Sequence, residues 1–281
     1  MKKLIVLLLL LFFINNINAQ NSEIGIGLGI STYFGDLNTN KFYDDIKQSH
    51  PSVEIFYNYF LNPHFNLKIA LGHGTISGDD SYSDKDWQKE RNLSFSSIIT
   101  ELSGIVEFNI LSNDHLIIPF IFSGGNAFYF NPKTLYKGEW VHLQPLGTEG
   151  QGSNLYPDRK KYKLVNFSLI FGAGIKFKIN QLLTLSIEQG WRRTNTDYLD
   201  DVSKEYAGYE NLKNTNGELA AILADRTNEY NGFDPLSRIP GTQRGGSKVK
   251  DFYTMSFVSL IYSLQDDIFV RKKNKVTCPK F

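Results

Sequence analysis

The chain has 281 residues, 30 Lys+Arg against 29 Asp+Glu, and a single cysteine, Cys278. Balanced charge excludes a nucleic-acid binder, which needs a basic excess, and a lone cysteine excludes an internal disulfide. One domain is expected, because barrels of roughly 200–250 residues fold as single units.

Residues 1–19 read as a secretion signal. Lys2 and Lys3 precede an unbroken apolar run, residues 4–14, and Ile17-Asn18-Ala19 ends in the small residue of a cleavage site. Cleavage is expected between Ala19 and Gln20. A membrane-spanning helix needs about 20 apolar residues, and Asn15, Asn16 and Asn18 interrupt the run too early. With Lys2 and Lys3 gone, 28 basic residues face 29 acidic ones. No later stretch approaches helical spanning length. Lipid offers no partner to backbone N–H and C=O groups, so only strands closed into a barrel could carry this chain across a membrane.

Eight segments alternate apolar with small or polar residues: roughly 23–34, 52–61, 64–76, 94–110, 116–130, 163–179, 182–194 and 251–264. In the first, Ile24, Ile26, Leu28 and Ile30 alternate with Gly25, Gly27 and Gly29. The sixth is the clearest. Val165, Phe167, Leu169, Phe171, Ala173, Ile175, Phe177 and Ile179 share one face, against Asn166, Ser168, Gly172, Gly174, Lys176 and Lys178, with Ile170 the apolar exception. The fifth is apolar on both faces from Leu116 to Phe122, and a bulge at Gly124-Gly125 would change its phase. A soluble β-sandwich also alternates. Strand length beyond the usual five or six residues and aromatics recurring near the turn ends (Tyr59, Phe108, Phe177, Tyr262) favour a transmembrane barrel with an interfacial girdle.

The gaps between segments run 17, 2, 17, 5, 32, 2 and 56 residues. Such alternation predicts an all-β, antiparallel, up-and-down barrel of eight strands spanning residues 20–265. Short periplasmic turns, long extracellular loops and periplasmic termini follow, in the outer membrane of a Gram-negative bacterium. The short connections use Asn62-Pro63, Ser112-Asn113-Asp114 and Asn180-Gln181, all turn formers.

Eight strands enclose only enough room for their own side chains. The lumen is expected to hold Glu54, Lys68, Glu101, Glu107, Lys176, Lys178 and Glu188, with Arg192 a further candidate. Charges in so narrow a space must pair or take up water. On neighbouring strands Lys68 would pair with Glu101 or Glu107, and Lys176 or Lys178 with Glu188. Phe56 and Phe60 would point inward opposite the glycines of the first segment. The role expected of these charges is structural plugging, with a proton relay as the alternative.

The last loop, 195–250, is too long for a simple link. It contains a possible short helix, residues 217–226, and opens with Asp197, Asp200 and Asp201. These acids could hold calcium, but their spacing is not that of a known loop motif, and a solvated loop is the expectation. Residues 266–281 form a basic tail. Arg271, Lys272, Lys273 and Lys275 are candidates for docking an acidic partner or anionic head groups, against a frayed tail as the plain reading.

Chemistry is not apparent. His50, His64, His73, His115 and His142 are scattered, none with a His or Cys three or four residues away, so no metal is expected. No G-x-S-x-G and no P-loop occur. No catalytic residue, cofactor or small-molecule substrate is proposed from the sequence.

Four segments resemble the PorG family of the type IX secretion system. They are Phe34-Gly35-Asp36-Leu37-Asn38, Tyr198-Leu199-Asp200-Asp201-Val202-Ser203, Arg244-Gly245-Gly246-Ser247 and the terminal Cys278-Pro279-Lys280-Phe281. They follow the family's order along the mature chain. The resemblance implies a non-enzymatic outer-membrane barrel that ties the periplasmic ring of the lipoprotein PorK and its partner PorN to the outer membrane. Two other readings share the architecture: a general barrel for adhesion or envelope integrity, and a membrane enzyme with polar groups clustered at one rim.

Overall fold

The computed structural model describes residues 22–38, 47–113, 115–232, 238–247 and 249–264. Ten strands form one sheet: β1 (Ser22–Phe34), β2 (His50–Phe60), β3 (Phe65–Asp79), β4 (Ser94–Asn109), β5 (Ile117–Phe130), β6 (Lys133–Tyr136), β7 (Glu139–His142), β8 (Val165–Lys178), β9 (Leu183–Thr194) and β10 (Phe252–Ser263). Eight of them close on themselves. β1 pairs with β2 and β10, β3 with β2 and β4, β8 with β5 and β9, and every pairing is antiparallel. The β6–β7 hairpin stands on the loop side of β4, joined through Ser96 and Lys133. The sequence pattern gave no sign of that hairpin, which is short and lies inside a long connection.

Burial is inverted relative to a water-soluble protein. Leu28 is 66% exposed, Phe167 64% and Leu169 67%, whereas Lys68 is 1% and Glu107 1% exposed. Soluble monomers rarely present contiguous apolar patches beyond a few hundred Å². A continuous belt of Ile, Leu, Val and Phe around a closed barrel is the surface that lipid requires. Closure and this inversion exclude the sandwich, which would bury its branched residues between two open sheets.

The β5 register runs without a break. Gly124 pairs with Ile105 and Ile170, and Gly125 with Gly104 and Leu169. There is no bulge at Gly124-Gly125, and the phase is constant: Ile118, Phe120, Phe122, Phe128 and Phe130 all point inward. The second apolar face exists because those rings fill space beside glycines of β8. A Cβ on Gly172 would lie 2.2 Å from Phe122 Cζ, and one on Gly174 would lie 2.5 Å from Phe120 Cζ. Phe56 fills the space beside Gly25 in the same way. Phe60 shares its inward parity and is half-buried at the rim.

Short connections at 61–64, 110–116 and 179–182 lie at one end. The backbone N–H of Leu264 bonds the carbonyl of Ser22 there, at 2.8 Å. The described residues of the long segments 35–49, 80–93, 131–164 and 195–251 lie at the other end. They carry a 3₁₀ turn (Asp80–Tyr82) and the helices α1 (Asp86–Arg91), α2 (Tyr209–Thr215), α3 (Glu218–Ala224) and α4 (Thr227–Asn231). The helix expected over 217–226 is α3, with α2 and α4 flanking it. An apolar cluster joins the loops to the barrel's upper interior, including Tyr33, Leu37, Ile76, Phe95, Phe130, Leu199, Leu223 and Met255.

Candidate functional site

Two stacked systems of buried polar groups occupy the axis of the barrel. The lower one fills the lumen in three units. Lys176 Nζ meets Glu107 Oε2 at 2.6 Å, and Asn66 donates to the same oxygen at 2.6 Å. Lys68 Nζ sits between Glu54 (3.0 Å) and Glu188 (2.8 Å), over the ring of Phe56 at 4.2 Å. Arg192 Nη2 meets Glu101 Oε1 at 2.9 Å, while Tyr253 and Asn126 donate to Glu101 Oε2 at 2.6 and 2.7 Å.

These partners differ from those expected. Lys68 pairs with Glu54 and Glu188, not with Glu101 or Glu107, and Lys176 takes Glu107, not Glu188. The expectation drew partners from neighbouring strands, which holds for Glu54 on β2 but not for Glu188 on β9 or for Lys176 on β8 with Glu107 on β4. In a ring of eight strands β3 and β9 face each other, and a lysine long enough to cross so narrow a lumen meets the opposite wall. Lys178 is outside the network. It is half-buried at the turn end, where its amine donates to the carbonyl of Asn113.

The upper system is a cap made by the long loops. Glu149 is fully buried, held in a run where Gly147, Gly150 and Gly152 all take positive φ, which a side chain at those positions would resist. Its carboxylate accepts from Ser203 N (2.9 Å), Lys204 N (3.0 Å), Tyr198 Oη (3.2 Å) and Arg244 Nη1 (3.1 Å). Arg244 also donates to the carbonyls of Asp201 (2.6 Å) and Ala224 (3.1 Å). Arg91 binds Asp80 through two nitrogens, and donates to the carbonyls of Asp36 and Arg244. Asp36 accepts from Gly246 N at 2.8 Å. A Cβ on Gly245 would lie 2.5 Å from Asp36 Oδ2, so the two segments touch.

Three of the four segments noted in the sequence thus converge at one place, although at least 40 residues separate any two of them. The fourth, Cys278-Pro279-Lys280-Phe281, lies outside the described residues, as do Ala19, Gln20, Arg271, Lys272, Lys273 and Lys275.

Residues 2–221, which include β1 to β9, match the family described as Domain of unknown function (DUF6089). The chain belongs to the DUF6089 family. No curated protein matches it. Among solved structures it is similar to Ail, the attachment invasion locus protein of Yersinia pestis, with 8% identity and a TM-score of 0.41 over 86% of this chain and 98% of Ail. Neisserial surface protein A gives 8% identity and 0.41 over 86% and 96%. The N-terminal barrel of Pseudomonas aeruginosa OprF gives 10% and 0.36 over 86% and 97%. At these scores the barrel rests on its closed register and apolar belt, not on the neighbours. On those two observations this DUF6089 chain is a transmembrane β-barrel of the outer-membrane type.

Within the DUF6089 cap the three acids of the last loop are not solvated. Asp197, Asp200 and Asp201 are all buried. Asp201 accepts from Tyr162 at 2.7 Å and from Thr148 at 2.5 Å, with Arg244 Nη2 at 3.8 Å, and it adopts a left-handed φ of 67°. Asp200 accepts from Tyr33 Oη (2.6 Å) and Val202 N (2.9 Å), and Asp197 from Ser203 Oγ (2.6 Å). The described start of this loop is held in place because its carboxylates serve as hydrogen-bond acceptors for other loops. Among the described residues no group of three His, Cys, Asp or Glu is placed to hold a metal ion.

Acids outnumber cations in the cap, and their ionisation is shifted accordingly. Burial pushes Asp197 and Asp201 from an ordinary value near 3.8 up to about 6, and Arg244 only partly offsets this at Asp201. Asp200 and Asp251 are raised well above the usual range by burial and by neighbouring carboxylates. An acid raised on folding binds its proton more tightly in the closed cap than in the opened one. Closure therefore gains stability below about pH 4 and loses it as pH rises through about 6. Hydrogen exchange over 197–206, corrected for intrinsic rates, is expected to slow at pH 5 relative to pH 8 by about tenfold from the fully buried Asp201 alone, since a group with pKa about 6 changes closure by about one pKa unit, about 1.4 kcal/mol, over that range. Equal protection at both values would contradict this.

Proposed function

We propose that this barrel is a non-enzymatic component of type IX protein secretion in the outer membrane of a Gram-negative bacterium. In this reading it anchors the periplasmic PorK/PorN ring. The observation that carries the proposal is the convergence of the PorG-like segments. Residues 34–38, 198–203 and 244–247 share one buried network through Asp36, Asp200, Asp201 and Arg244. The resemblance therefore lies in residues that this fold uses together.

The lumen fits an anchor better than a conduit. It is closed by Lys68, Lys176 and Arg192 with their glutamates, and closed again by the apolar cluster beneath the cap. Ring contact would fall to the turns at 61–64, 110–116 and 179–182 and to the basic tail, while the cap would meet surface partners.

A deletion strain scored for export of type IX cargo tests the role. Loss of export, restored by the wild-type gene, together with co-purification of the ring lipoprotein, is the expected result. Normal export with weakened envelope integrity would select the general-barrel alternative.

A further inference from the structure

The lipid-facing wall is not uniform. Where β8, β9 and β10 meet the loop end, a cleft of about 550 Å³ opens on the outside of the barrel, lined by Phe171, Trp191, Arg193, Val249, Lys250 and Phe252. Its floor is aromatic: Phe171 and Trp191 stack with centroids 5.8 Å apart at 13°, and Phe252 stacks on Phe34 at 4.7 Å and 5°. Its upper edge is cationic. Arg193 is the outward residue next to the end of β9, paired in register with Phe252 and Leu169. Lys250 lies in the loop just before β10.

Below the cleft the belt is notched. Ser256, Gln189 and Ala173 lie side by side across β10, β9 and β8. Small and polar residues there leave a second hollow of about 430 Å³. The hydroxyl of Ser256 donates to the side-chain oxygen of Gln189, so these two polar side chains partner each other at the belt. The two hollows follow the same three strands, one above the other.

An outward cation at the edge of a membrane belt is tolerated only near the interface. Two of them converge here, and neither forms an ion pair among the described residues. The acid near Lys250 is Asp197, which is buried and bonded to Ser203. Positive charge above an aromatic floor, continuous with an apolar notch, matches an amphiphile with an anionic head and an acyl chain. We propose that this face binds a phosphorylated lipid of the outer leaflet. Its phosphate would lie between Arg193 and Lys250, and one acyl chain would run past Trp191 into the notch at Gln189.

Trp191 reports on the site directly. With Trp87→Phe and Trp140→Phe it becomes the sole tryptophan of the chain. The full mature chain in phosphatidylcholine vesicles would be titrated with brominated phosphatidic acid and, separately, brominated phosphatidylcholine. Each basic residue near a membrane surface contributes about a factor of five towards anionic lipid, so with two of them phosphatidic acid is expected to quench Trp191 at roughly twenty-fivefold lower fraction. Arg193→Gln with Lys250→Gln should abolish the preference and leave quenching by phosphatidylcholine unchanged. Lys250→Gln alone, in an exposed loop, should reduce the preference about fivefold, and heat-dependent gel mobility checks folding of each variant. Equal quenching by both lipids, a preference untouched by the substitutions, or a Trp191 that neither lipid reaches because protein covers it would each overturn the proposal.

Discussion

Lys68→Met is expected to cost the barrel about 3–5 kcal/mol, the range for breaking a buried ion pair by removing one partner. The residue is 1% exposed and serves two carboxylates, Glu54 on the neighbouring β2 and Glu188 on the opposite β9. Without it both acids remain in a narrow lumen with no cation within salt-bridge distance. The triple variant Lys68→Met, Glu54→Gln, Glu188→Gln should recover most of the loss, because it removes the unpaired charges together. Urea unfolding in detergent micelles, followed by heat-dependent gel mobility, measures both. Glu229→Gln is the control: it is a third exposed and its ion-pair partner Arg226 lies one helical turn away, so its removal should change stability by about 0.5 kcal/mol or less. Equal effects of the Lys68 and Glu229 substitutions would show that the lumen charges are hydrated rather than paired.

Arg244→Ala is expected to open the cap and spare the barrel. The guanidinium touches Glu149, the carbonyl of Asp201 and the carbonyl of Ala224, which belong to three separate stretches of loop. None of its partners lies in the lumen, so strand pairing should be unaffected. Uncovering the buried Glu149 and Asp201 carboxylates should destabilise closure by about 3 kcal/mol or more. Cleavage that proceeds through opening follows the open population. Trypsin added to intact cells should then cut segment 195–251 about a hundredfold faster than in the wild type, with the barrel still heat-modifiable. Unchanged cleavage would place the stability of the cap in its apolar cluster instead.

The two variants also separate the roles proposed above. A ring anchor needs the barrel but not the cap, so Arg244→Ala should retain the ring lipoprotein in detergent extracts. If the cap meets a surface partner, the same variant should lose export while keeping the ring.

Period-two alternation, strand length and the rhythm of long and short gaps determined the barrel, its eight staves and which side chains face lipid. These are local properties: a strand's two faces are fixed by the pleat, and a turn of two to five residues can only join antiparallel neighbours. Val165 to Phe177 could be assigned to the outside one residue at a time. Tertiary structure alone decided who meets whom across the lumen. Lys68 reaches Glu188 because closure sets β3 opposite β9, and no spacing along the chain encodes that distance. It also decided the fate of Asp197, Asp200 and Asp201. A cluster of acids in a polar loop has the composition of a solvated segment, and becomes a buried core only when Glu149, Arg244 and Tyr33 arrive from other loops to complete its hydrogen bonds. The glycine run around Glu149 was the available local signal, since three positive-φ positions so close together announce a tightly folded loop.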